Sequence, residues 1–241
     1  MPTNFTTFIG VDTGAGRKPF TYIALDASRK VLAVGSGSSV DVLSFALGQQ
    51  TALLALSPQM RPYHSRPSAP ESGLVSVGSF LAQLELDHTR DALTPRTPPA
   101  GCPFWLRSAF ALADQLESLG YCSYPAEDAA RQWIETQSEA AFHALLGVPP
   151  FEAGTLEGRI QRQLVLENLD LAVPDAMQVF EEITRYRLLH GVLPVDGLLP
   201  QPELNAWIAA HVACLASTQP EALRPVNQDQ GGCVYLPFPA A

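Results

Sequence analysis

A chain of 241 residues, 46% hydrophobic and 16% charged, has the length and apolar content for one large domain or two small ones around a buried core. Its formal net charge of -9 argues against a broad basic surface that would hold nucleic acid non-specifically, but not against a local metal site, which is itself acidic. No run reaches transmembrane length, and no basic region followed by a long apolar stretch opens the chain, so the expectation is a cytoplasmic protein with no membrane partner.

The first apolar run, Phe8-Ile9-Gly10-Val11, ends in Asp12-Thr13-Gly14-Ala15-Gly16. A carboxylate at the end of a buried strand is held rigidly and reaches the crevice at the sheet end, where divalent metals and phosphates bind. The runs Phe20-Thr21-Tyr22-Ile23-Ala24-Leu25 and Val31-Leu32-Ala33-Val34 follow at once, giving a three-strand meander. A short helix is expected over 40–48, stopped by glycine. Ala52-Leu53-Leu54-Ala55-Leu56 is apolar throughout, as a central strand covered on both faces would be, and Ser57-Pro58 ends it.

Prolines then crowd the chain, and 59–103 reads as an insertion within a single domain spanning 1–241, because the elements on either side look incomplete alone. A helix is expected over 104–119, with Gly120 as its stop. Gln132-Trp133-Ile134-Glu135 is a short strand that again ends in an acid. Helices follow over 138–146 and 155–169. The next runs from Asp175 to about His190, with Asp175 as N-cap and Gln178 at capping-box spacing. The last covers 202–217, with Pro202 in its first turn and a stripe of Leu204, Ile208, Val212 and Leu215. Cys233-Val234-Tyr235-Leu236 is extended. The class is α/β; strand order is not readable from this pattern.

Two acids stand where chemistry is possible. Asp12 and Glu135 each end a strand, and a two-metal phosphodiesterase needs acids on separate elements converging on one volume. Each also has a plain structural reading. Asp-Thr-Gly is a good turn sequence, and Glu135-Thr136-Gln137-Ser138 could simply begin a helix. Gly14 and Gly16 could admit a phosphate to backbone N–H groups or form a tight hairpin. Arg159, Arg162, Arg185 and Arg187 read as phosphate contacts or as solvated and salt-bridged helix faces. His143 and His211 fall on helices as packing partners. Cys102, Cys122, Cys214 and Cys233 lack zinc spacing. There is no Walker loop, no G-x-G-x-x-G opening a helix and no G-x-S-x-G elbow.

Several stretches, in order along the chain, resemble the domain-of-unknown-function 429 family of predicted nucleases. They are Gly10-Val11-Asp12-Thr13-Gly14, Leu54-Ala55-Leu56-Ser57-Pro58, Trp133-Ile134-Glu135-Thr136 with Ala141-Phe142-His143-Ala144-Leu145-Leu146-Gly147, and Gly158-Arg159-Ile160-Gln161-Arg162. Glu203-Leu204-Asn205-Ala206-Trp207-Ile208-Ala209-Ala210 and Gly231-Gly232-Cys233-Val234-Tyr235-Leu236-Pro237 continue the series. The resemblance implies an RNase H-like fold, a mixed central sheet flanked by helices that begins with the three-strand meander. It also implies a Mg²⁺- or Mn²⁺-dependent phosphodiester hydrolase acting on nucleic acid. Asp12 and Glu135 match the family's acids, and both are expected at the metal, side by side. Leu56 stands where a second strand-end Asp is expected, and Asn205 where the helix Asp is expected. Leucine binds no metal, and asparagine offers one neutral oxygen in place of a charged ligand. Ser57 and Glu203 lie nearby as substitutes.

The sequence leaves three readings. One is a metal-dependent nuclease with a degenerate site of Asp12, Glu135 and Asn205, its activity weakened or lost. Another is a non-catalytic relative that binds a nucleic acid or a protein. The third is an actin-like or sugar-kinase-like phosphotransferase, resting only on Asp-Thr-Gly-Ala-Gly.

Overall fold

The computed structural model describes residues 4–14, 19–57, 104–227 and 233–238; the expected insertion at 59–103 lies outside them, as do Gly16 and Cys102. Strands β1 (Thr7–Asp12), β2 (Phe20–Asp26) and β3 (Val31–Gly37) form the meander, each antiparallel to the one before. Helix α1 (Ser39–Leu47) follows, capped by Ser38 and Asp41 in a capping box. Strand β4 (Ala52–Ser57) then runs parallel to β1. Both β1 and β4 are buried at every position; their interiors are apolar, and the polar residues Thr7, Asp12 and Ser57 lie at their ends.

After helix α2 (Phe104–Ser118) come β5 (Cys122–Ser123) and β6 (Arg131–Glu135), and β6 pairs parallel to β4. Three helices named for their order follow: α3 (Ser138–Leu146), α4 (Leu156–Asn168) and α5 (Gln178–Glu182). Then come α6 (Arg185–Leu189), the long α7 (Gln201–Thr218), and the hairpin of β7 (Leu223–Asn227) and β8 (Cys233–Pro237). The result is one mixed sheet in the order β3-β2-β1-β4-β6-β8-β7, with β5 paired to β6.

Strand alternation divides the core into two layers. Phe8, Ile23, Leu25, Leu53, Ala55 and Ile134 face α7, which packs on β1, β2 and β4. Ile9, Val11, Leu54, Leu56 and Trp133 face the other way, toward α1 and the Phe110, Leu112, Ala113 and Leu116 side of α2.

Helix α7 departs from the expected one-sided stripe. Every residue from Leu204 to Ala216 is buried, because α3 and α4 cover the side turned away from the sheet. Apart from Asn205 and His211 this buried stretch is apolar on every side, and small residues (Ala206, Ala209, Ala210, Ala213) let it lie close to β1. The approach is tightest at Gly10. A Cβ there would run into the backbone of α7 at Ala206 O and Ala210 N, far inside van der Waals contact.

The single helix expected from Asp175 to His190 is two short ones. Asp175 Oδ1 accepts the Met177 N–H at 2.8 Å in a turn, and the N-cap position falls on Met177. The extended backbone at Ile183 and Thr184 interrupts the run, and Thr184 caps α6 by accepting the Arg187 N–H at 3.1 Å. Two β-branched residues in succession, the second a good N-cap, explain the break.

Candidate functional site

Asp12 lies at the C-terminal end of β1, opposite Thr21 on β2 and Ser57 on β4. It shares its sheet face with Gly10, and so points toward α7. The carboxylate is fully buried. Its Oδ1 accepts the Gly14 N–H at 2.9 Å, with Gly14 at a positive φ of 67° that glycine adopts without strain. Its Oδ2 accepts the side-chain amide of Asn205 at 3.1 Å.

Asn205 is itself held. Its Oδ1 accepts Gln201 Nε2 at 2.8 Å, one turn earlier on α7. Gln201 Nε2 also approaches Glu139 Oε1 on α3 at 3.4 Å. The other Glu139 oxygen takes the guanidinium of Arg162 at 2.6 Å. Arg162 is among the largest fully buried side chains, lies over the Phe142 ring, and donates to the Phe151 and Gly158 carbonyls. A continuous polar chain therefore runs from α4 through α3 and α7 to the end of β1. It fixes the Asn205 amide, since the reversed orientation would set oxygen against the Asp12 oxygen and N–H against the Gln201 N–H.

Ser57, the lateral neighbour of Asp12, is also engaged. Its hydroxyl shares a 2.5 Å hydrogen bond with Ser138 Oγ and accepts the Ser138 N–H at 3.1 Å. Ser138 Oγ donates in turn to the Asn205 carbonyl at 3.2 Å.

The register places the remaining candidates elsewhere. Leu56 pairs with Val11 and with Glu135, so these three form one lateral row, and Asp12 with Ser57 forms the next. Adjacent rows face opposite sides of the sheet. Asn205 is thus brought to Asp12, whereas Glu135 stands on β6, two strands away from β1 in the sheet. Ser57, not Leu56, occupies the position beside Asp12. Glu203 is half-buried in the first turn of α7, and burial raises its carboxyl pKa.

The arginines considered for phosphates have structural partners or lie apart. Arg159 donates to the Leu198 and Leu199 carbonyls, Arg162 to Glu139, and Arg187 to Glu182 at 3.0 Å. His143 and His211 are buried, and burial together with Arg29 depresses the His211 pKa to about 4. Cys214 is buried and Cys122 exposed, and burial raises the thiol pKa of Cys214 and Cys233.

Mg²⁺ and Mn²⁺ call for several oxygen ligands, preferably charged. At Asp12 an amide N–H is turned toward the carboxylate, and the Ser57 and Ser138 hydroxyls beside it are bonded to each other. These groups by themselves do not make up a two-metal centre. Among the described residues, no group of three or more His, Cys, Asp or Glu side chains converges as a metal site. No helix among them is long and apolar enough to cross a membrane.

No protein-family model, curated protein or solved structure matches the chain.

Sequence reasoning missed Gln201, Glu139 and Ser138. The spacing of Gln201 and Asn205 puts them on one helix face, which is the single signal the sequence carried. Their convergence on Asp12 depends on where α7 lands on the sheet.

Proposed function

We propose that this chain is an RNase H-like protein of the nuclease type whose metal site has lapsed, and that it works as a non-catalytic scaffold binding a protein partner. The fold reading is supported by the meander whose first strand ends in Asp12, followed by β4 and β6 parallel to β1 on its other side. The observation that carries the functional reading is the Asp12–Asn205 contact. An amide N–H fills a direction from which a metal would approach the carboxylate, and the polar chain behind it holds that amide in place. A protein partner is preferred to nucleic acid because the net charge of -9 repels a phosphate backbone.

A second reading has one specific observation in its favour. Asp12 and Asn205 meet although they lie at opposite ends of the chain, and they match two of the positions the nuclease resemblance assigns to the metal. On that reading, residual Mg²⁺- or Mn²⁺-dependent phosphodiester hydrolysis persists. The phosphotransferase reading loses support, because the Gly14 N–H is used on Asp12.

The test is an incubation of the purified chain with single- and double-stranded DNA and RNA in Mg²⁺ or Mn²⁺, beside Asp12→Ala. The scaffold reading expects no cleavage that depends on Asp12. Metal-dependent cleavage that disappears in Asp12→Ala overturns it in favour of the hydrolase.

A further inference from the structure

The stretch from Met177 to Leu193 exposes Met177, Phe180, Tyr186, Leu188, Leu189, Val192 and Leu193, each with about half or more of its surface in solvent. Helix α6 has no buried residue at all, and Leu189 is 73% exposed. Scattered exposed apolar residues are ordinary, but seven large ones along two short helices and the turn after them are not. Seven large side chains exposed to this degree offer surface on the scale of the roughly 800 Å² that each partner contributes to an interface of standard size.

The charges around this patch are balanced, and their order says what covers it. Glu181 and Glu182 close α5, and Arg185 and Arg187 lie on α6, giving two acids followed by two bases. Glu182 and Arg187 satisfy each other at 3.0 Å. Glu181 and Arg185 are exposed and have no ion-pair partner among the described residues. A surface carrying one free acid and one free base complements itself under a two-fold rotation, where residue i meets j and j meets i. The patch is also neutral within a chain of net charge -9, so two copies repel least there. An anionic membrane or a nucleic acid would call for an excess of Lys and Arg, which this stretch lacks.

We propose that the α5–α6 segment is the interface of an isologous homodimer, with its apolar side chains at the centre and Glu181 of each copy paired with Arg185 of the other. The inference stands apart from the reading of the Asp12 site.

The test is sedimentation equilibrium of the full chain, wild type against Leu189→Asp, Glu181→Arg and Arg185→Glu. These positions are exposed, so circular dichroism should show each variant folded. The wild type is expected to be a dimer at micromolar concentration. Leu189→Asp should raise the dissociation constant by about 30-fold or more. Glu181→Arg and Arg185→Glu should each weaken self-association, and an equimolar mixture of the two should restore a dimer. A monomeric wild type overturns the proposal. So does a dimer indifferent to Leu189→Asp, or a mixture of the two charge variants that associates no better than either alone.

Discussion

Asn205 donates its side-chain amide to Asp12 across 193 residues of sequence, joining the last long helix to the end of the first strand. Both groups are buried, and the partners behind Asn205 give its amide one orientation. The contact converts a strand-end acid into a structural fastening for α7.

That fastening has a measurable strength. A hydrogen bond to a charged group contributes about 1.5–3 kcal/mol, and a stranded buried donor costs a similar amount. Asp12→Ala is expected to lose about 3 kcal/mol of stability, since it strands both the Asn205 amide and the Gly14 N–H. A double-mutant cycle with Asn205→Ala, read by urea denaturation, should give a coupling of about 2 kcal/mol. Additive losses would show that the two side chains do not act together.

Returning acids to the site should create a metal requirement. Asn205→Asp combined with Ser57→Asp places two further carboxylates beside Asp12 in a buried setting. Like charges there are destabilising without a counter-ion, and hard cations favour charged oxygens. The double variant is expected to melt below the wild type in EDTA and to recover in Mn²⁺, while the wild type responds little. A melting temperature of the double variant that ignores Mn²⁺ would contradict this geometry.

Gly10 tests the close approach of α7. Gly10→Ala puts a methyl group into the backbone of Ala206 and Ala210, which no side-chain rotation can relieve. The expected loss is about 3 kcal/mol or more, measured by thermal or chemical unfolding. Near-neutral behaviour would mean that α7 does not lie on β1 as described.

His211 gives the fold a pH dependence. Its pKa is depressed to about 4 by burial and by Arg29, against 6.5 in an exposed chain. The unfolded state therefore takes up a proton first as pH falls below 6.5, and stability declines until about pH 4, where the native state protonates too. The decline attributable to His211 is of order 3 kcal/mol. Stability measured across that window should fall less steeply for His211→Gln than for the wild type. Parallel curves would remove His211 as the cause.

Much of the frame is legible in sequence because it rests on local rules. Three apolar runs in quick succession mark the meander, unbroken apolarity marks β4, and the helix expected from Thr155 begins where Thr155 accepts the Gly158 N–H at 3.1 Å. Strand β7 is hidden by Pro225, which disfavours a strand except at an edge, and β7 is the edge of this sheet. The break at Ile183 and Thr184 is masked by the acceptable helical pattern on either side of it. Asp12 is legible as a strand end and Asn205 only through the family resemblance. The two-strand separation of Glu135 from Asp12 comes from the strand order and register of the sheet, which no local pattern encodes. The same register makes Ser57, rather than Leu56, the neighbour of Asp12.

The most direct measurement is a calorimetric titration of Mn²⁺ into the wild type and Asp12→Asn, with folding of both verified. If the Asp12–Asn205 contact has replaced the metal, neither protein should show a site that depends on Asp12. A stoichiometric Mn²⁺ site present in the wild type and lost in Asp12→Asn would contradict that claim.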